Sequence, residues 1–108
     1  MGEKEYIYYF TPERLDRFRY YHYLEEGQIV QFVIQYEASI NGKWHPIVRY
    51  DTAHGRPHKD ELRPDGTQEK VEFYDYTREE VLTIGERDIK ANWQQYRSKC
   101  ERDLKRNV

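Results

Sequence analysis

The chain has 108 residues, of which 35% are charged, 37% hydrophobic and 16% aromatic, with 11 tyrosines. A disordered chain is poor in aromatic and β-branched residues, so this composition describes a folded domain with a thin core in which tyrosine is a main filler. A formal net charge of -2 argues against affinity built on non-specific phosphate contacts, the single cysteine, Cys100, excludes an internal disulfide, and no stretch approaches the ~18 apolar residues of a membrane span.

Glu3 and Glu5 stand where a signal peptide would carry basic residues, and the expectation is a soluble cytoplasmic protein with a single domain over residues 1–108. "EYIYYF", Glu5–Phe10, can add an edge strand. "RFRYYHYLE", Arg17–Glu25, reads as a strand that turns at Glu26-Gly27. "QIVQFVIQYEASI", Gln28–Ile40, alternates apolar and polar side chains as a strand does, and Asn41-Gly42 follows as a two-residue hairpin turn. "KWHPIVRYD", Lys43–Asp51, is the returning partner, edge-placed or bulged at Pro46, which has no N–H to donate. "RPDG", Arg63–Gly66, is a turn joining short strands near Pro57–Leu62 and Gln68–Phe73.

After Tyr76 the period becomes helical. "TREE" from Thr77 is a capping box, and Gly85 is expected to end a short first helix. A longer helix from about Glu86 to Arg106 carries Ile89, Trp93, Tyr96, Cys100 and Leu104 on one stripe. Cys100 on that stripe is a buried small hydrophobe rather than a nucleophile. The fold class is therefore α+β: an antiparallel β-meander of four to five strands packed on a C-terminal helical segment of one short and one long helix.

Tight turns at Asn41-Gly42 and Glu26-Gly27 set a register in which Phe32 faces Asp51, Ile34 faces Arg49 and Arg19, and Tyr21 faces Phe32. One sheet face then holds Phe32, Ile34, Tyr36 and Tyr21 with Arg19, Arg49 and Asp51; the other holds Phe18, Tyr20, Leu24, Val33, Trp44, Val48 and Tyr50 with Gln31, Gln35 and His22. The helix is expected on the second face, leaving the arginines in a part-open groove.

The segment "RYDTAHGRPHKDELRPDG", Arg49–Gly66, concentrates titratable groups. His54 and His58 with Asp51 and Asp60 have the side chains of a divalent metal site, but their spacing matches no known ligand box, and the expectation is no metal and a solvated pair of loop histidines. A metal-independent ribonuclease needs a base, an acid and a cation for the phosphorane charge, roles open to Arg49, His54 and His58, with Arg19 steering phosphate and Tyr21 or Tyr50 stacking on a base. The plainer reading pairs Arg49 with Asp51, two apart on a strand, to order the following turn. No Gly-rich phosphate loop, CxxC pair, Ser-centred elbow or HExxH box is present, and no cofactor is implied.

Over "GKWHPIVRYDTAHGRPHKDELRPDGTQEK", Gly42–Lys70, the sequence resembles a family of small prokaryotic proteins grouped as a domain of unknown function. "RYDTAHGRPH", Arg49–His58, is also similar to the TumE-like proteins of toxin–antitoxin operons, which implies roles for Arg49, Asp51, His54 and His58, an RNA or nucleotide-linked target and a protein partner encoded nearby. Lys59 and Asp60 depart from that pattern, where further histidine is expected. The leading expectation is a small interaction domain of unknown ligand, able to form a homodimer through leftover aromatic surface; the second is the toxin-like ribonuclease, with RNA disfavoured by net charge.

Overall fold

A computed structural model describes residues 2–106, apart from the side chain of His54. Among the described residues six antiparallel strands lie in chain order in one sheet: β1 (Gly2–Tyr9), β2 (Asp16–Glu25), β3 (Gln28–Ile40), β4 (Lys43–Asp51), β5 (His58–Leu62) and β6 (Gln68–Glu72). A 3-10 turn, Ala53–Gly55, connects β4 to β5, and one helix, α1 (Arg78–Arg106), packs on the sheet against β3 and β4. The class is α+β as expected, with two corrections. The sheet has six strands because the N-terminal segment pairs along its whole length with β2, and Tyr6 stacks on Tyr20 at 4.7 Å. The helical segment is one helix because Gly85 does not break it.

Both hairpin turns are tight, with positive φ at Glu26, Gly27, Asn41 and Gly42 as a two-residue turn of this hand requires. Near the turns the register is the expected one, with Ala38 opposite His45 and Leu24 opposite Ile29. Farther along, each hairpin slips by one residue. Glu37 pairs with Pro46 but Tyr36 pairs with Val48, so Ile47 is an unpaired extra residue in β4. Val30 is likewise extra in β3, between Ile29 opposite Leu24 and Gln31 opposite Tyr23. A bulge suits the neighbourhood of Pro46, which cannot donate to the ladder.

The expected division of faces is thereby corrected. Ile34 lies opposite Tyr20 and Tyr50, not Arg19 and Arg49, and Asp51 lies opposite Val33, not Phe32. Phe32, Ile34, Tyr36 and Ala38 join Phe18, Tyr20, Val48 and Tyr50 in one buried cluster beneath Val81, Leu82, Ile89 and Cys100 of α1. Val33, Gln35 and Trp44, expected under the helix, belong to the other face, where the guanidinium of Arg17 sits 3.8 Å from the Trp44 ring.

The helix starts at the expected capping box: the Glu80 amide donates to Thr77 Oγ1 at 3.1 Å, and the Thr77 amide donates to Glu80 Oε1 at 2.8 Å. Toward its C-terminus Arg97 donates to Asp16 Oδ1 at 2.9 Å and to the Ser39 carbonyl at 3.0 Å, while the Tyr36 hydroxyl donates to the same Asp16 oxygen at 2.6 Å. Between these fastenings Gly85 brings the helix backbone onto the sheet. A Cβ there would stand 2.7 Å from Ile34 Cδ1 and 2.8 Å from Tyr50 Cγ. Among the described residues no helix is long and apolar enough to cross a membrane.

Gly85→Ala should therefore destabilise the domain despite better helix propensity. Propensity contributes about 0.5–1 kcal/mol in favour, while overpacking against two buried side chains costs ~1–3 kcal/mol. Urea unfolding of the variant is expected to show a net loss of about 1–2 kcal/mol; an unchanged or raised midpoint would contradict this packing.

Candidate functional site: the uncovered sheet face

Strand alternation carries two mainly polar rows of side chains across the face opposite α1. One runs Glu5, Tyr21, Val33, Asp51, His58 and Glu72; the next runs Ile7, Arg19, Gln35, Arg49, Asp60 and Lys70. Arg19, Tyr21, Arg49, Asp51 and His58 thus share one face. Tyr50 does not: it points into the core at 2% exposure, and its ring is not offered to a ligand on the open face. The backbone of His54 lies in the 3-10 turn, and its side chain is outside the described residues.

The centre of the face is a chain of polar contacts. Glu37, 8% exposed at its side chain, accepts from Arg17 Nε at 2.5 Å and from the Gln35 amide. Gln35 Oε1 in turn accepts from Arg49 Nε at 2.7 Å. This chain fixes the Arg49 guanidinium through one nitrogen; its other two have no protein partner among the described residues. Arg19 reaches Glu37 only at 3.7 Å and is half exposed. The two arginines border a cleft of about 280 Å³ with Tyr21, Val33, Glu5 and Ile7. Gln35 and Glu37 were not singled out from sequence, because the unslipped register put Gln35 on the wrong face.

At the neighbouring strand pair, Asp51, His58 and Asp60 cluster, each 5–7% exposed. His58 Nε2 is 2.9 Å from Asp51 Oδ1 and 3.3 Å from Asp60 Oδ2. His58 Nδ1 is 3.2 Å from the Arg56 carbonyl oxygen, so that nitrogen is the donor. The Ala53 amide donates to Asp51 Oδ1 at 3.0 Å, which holds the carboxylate and orders the turn. The expected Arg49–Asp51 pair is replaced: Asp51 turns to His58 and Ala53, and Arg49 to Gln35. His58 is a buried strand residue, not a solvated loop histidine. The "HKD" alternation already put His58 and Asp60 on one strand face, a signal available once β5 is read as starting at His58.

Tyr50 belongs to a separate cluster between sheet and helix. Its hydroxyl and that of Tyr96 each donate to Asp88 Oδ2 at 2.6 Å, Asn92 donates to Asp88 Oδ1 at 2.8 Å, and Lys59 donates to Tyr96 at 2.9 Å. Burial, helped by the bond to Asp88, pushes the Tyr96 hydroxyl up to about 12. Burial alone would raise the Asp88 carboxyl, but the hydrogen bonds from Tyr50, Tyr96 and Asn92 outweigh it and hold Asp88 below its usual value.

The fold and this surface define an α+β domain with one covered, apolar sheet face and one uncovered face built from polar networks. The chain matches the family described as a domain of unknown function, DUF7718, over residues 1–106, and it belongs to that family. No curated protein and no solved structure matches it.

The depressed Asp88 carboxyl fixes the sign of one pH effect. Its contribution to stability is complete above the ordinary aspartate value of about 3.9 and is lost as pH falls through the lower folded-state value. Asp88→Asn should therefore lower the urea midpoint at pH 7, and the gap from wild type should close on acidification below about pH 4. A gap that stays constant into acid would show that the carboxylate charge is not what ties helix to sheet.

Proposed function

We propose that this chain is a soluble binding domain that holds an anionic group, carboxylate or phosphate, in the cleft between Arg19 and Arg49. The supporting observation is the Arg49 guanidinium, held through Nε by Gln35 while its two terminal nitrogens have no protein partner among the described residues. Such a fork is pre-set for two parallel bonds to one carboxylate or phosphate. Arg19 adds a second, more mobile charge, and the Tyr21 ring a flat wall. The polar chain Arg17–Glu37–Gln35 behind it supports rigid positioning.

The toxin-like, metal-independent ribonuclease centres on Arg49 and His54, whose side chain lies outside the described residues, and draws also on the shared face of Arg49, Asp51 and His58. It finds less support, because His58 is 5% exposed, with Nδ1 given to the Arg56 carbonyl and Nε2 walled off by Asp51 and Asp60, which leaves it poorly placed to take a ribose proton. Homodimerisation through aromatic surface also finds less support. The exposed apolar side chains are scattered: Ile7 and Tyr8 on β1 and Leu15 just before β2 at one side of the sheet, and Val71, Tyr74 and Tyr76 around and beyond β6 at the other.

Titration with inorganic phosphate and with a dicarboxylate, followed by NMR of arginine side chains and tyrosine rings, tests the reading. Shifts are expected at Arg49, Arg19 and Tyr21, and Arg49→Gln should weaken binding by roughly 10-fold or more, the worth of a lost charged hydrogen bond. Shifts confined to other surfaces, or equal affinity in Arg49→Gln, would remove the cleft as the site.

A further inference from the structure

We propose that Asp51, His58 and Asp60 form a binding site for one divalent first-row transition metal ion of the zinc or manganese kind. The site is separate from the arginine cleft, and the proposal does not rest on that cleft being occupied.

The first support is convergence. One ligating atom from each of the three residues lies within 4.8 Å of the other two. A metal held at about 2.0–2.2 Å by nitrogen and oxygen keeps neighbouring ligand atoms roughly 3–3.5 Å apart. The separations from His58 Nε2, 2.9 Å and 3.3 Å, already have that size. Adjacent β-strands fix them, since Asp51 pairs directly with His58 and Asp60 follows two residues later on the same face.

The second support is hydrogen-bond satisfaction. The Arg56 carbonyl can only accept, so His58 Nδ1 carries a hydrogen. In the neutral ring Nε2 is then a lone pair facing two carboxylates. A hydrogen on Nε2 would bond one oxygen, and Asp51 is the nearer. Asp60 would still be short of a partner: it is 5% exposed and its Oδ1 has none. Buried polar atoms left unpaired are rare and costly. A dication between the three groups balances both carboxylates and takes the Nε2 lone pair.

The surroundings match what metal sites use. A ring N–H given to a backbone carbonyl fixes the tautomer that leaves Nε2 free to ligate, and the Ala53 amide orients the Asp51 carboxylate. A cleft of about 420 Å³, bordered by Gly55, Arg56, His58, Lys70 and Glu72, opens beside the cluster and gives ion and water a path. Three protein ligands leave a position for water or substrate. One imidazole with two carboxylates suits zinc, manganese or iron, whereas magnesium and calcium prefer oxygen alone.

The test is titration of the full chain, stripped with a chelator, with Zn²⁺, Mn²⁺ and Mg²⁺, by calorimetry and by NMR of the histidine ring nitrogens. Zn²⁺ is expected to bind at one equivalent and to move His58 Nε2 while Nδ1 stays protonated, with Mg²⁺ failing to compete. Loss of an outer-shell group alone weakens metal sites by roughly 10–100-fold, so Asp60→Asn should cost at least that. Absence of stoichiometric zinc binding, undiminished binding by Asp60→Asn, or ring shifts at His22 or His45 in place of His58 would overturn the proposal. The ring signature is read in wild-type protein, so it decides the matter even if Asp60→Asn fails to fold.

Discussion

Ile47 has no partner across the β3–β4 ladder, and that unpaired residue decides what the distal half of β4 shows to each side of the sheet. Before it, His45 lies opposite Ala38; after it, Val48 and Tyr50 lie opposite Tyr36 and Ile34, beneath α1. Without it Arg49 would oppose Ile34 and be driven under the helix. The energies favour the slipped arrangement. Burying Phe, Ile or Tyr-sized side chains is worth ~1.5–3 kcal/mol each, and the unslipped register would divide Phe32, Ile34 and Tyr36 from Val48 and Tyr50. The loss would rival the ~5–15 kcal/mol that holds a domain folded, far more than a few disrupted ladder bonds cost.

The same slip builds the polar face. It turns Asp51, with its β5 neighbour His58, to the open face rather than among core aromatics, and it aligns Gln35 with Arg49 so that one amide bridges Glu37 and the guanidinium. Core and site are therefore two results of one register, and neither can shift without the other. The helix then locks the choice from its side: Gly85 lets its backbone descend onto Ile34 and Tyr50, and the Asp88 and Arg97 clusters tie it at two further points.

Much of this was legible in the sequence. Asn41-Gly42, Glu26-Gly27 and "RPDG" each mark turns through local backbone chemistry, and Thr77 to Glu80 marks the helix start through a reciprocal bond, so both survive any tertiary context. The stripe from Ile89 to Leu104 likewise follows from helical period alone. What was hidden depends on contacts between distant segments. A bulge leaves each strand's own alternation nearly intact and changes only who faces whom; Pro46 gave notice of one, but not of its position. Gly85 looks like a weak point in a helix until the sheet beneath it is known. The cluster at Asp51, His58 and Asp60 needed the β4–β5 pairing, which no turn chemistry announces.

Because the slip governs both faces, cross-strand NOEs between backbone protons of β3 and β4 test the account most directly. It predicts contacts between Val33 and Asp51 and between Ile34 and Tyr50, alongside Ala38 with His45 near the turn. Contacts between Phe32 and Asp51 and between Ile34 and Arg49 would instead mean an unbroken ladder, with Arg49 beneath the helix and no polar face of the kind described.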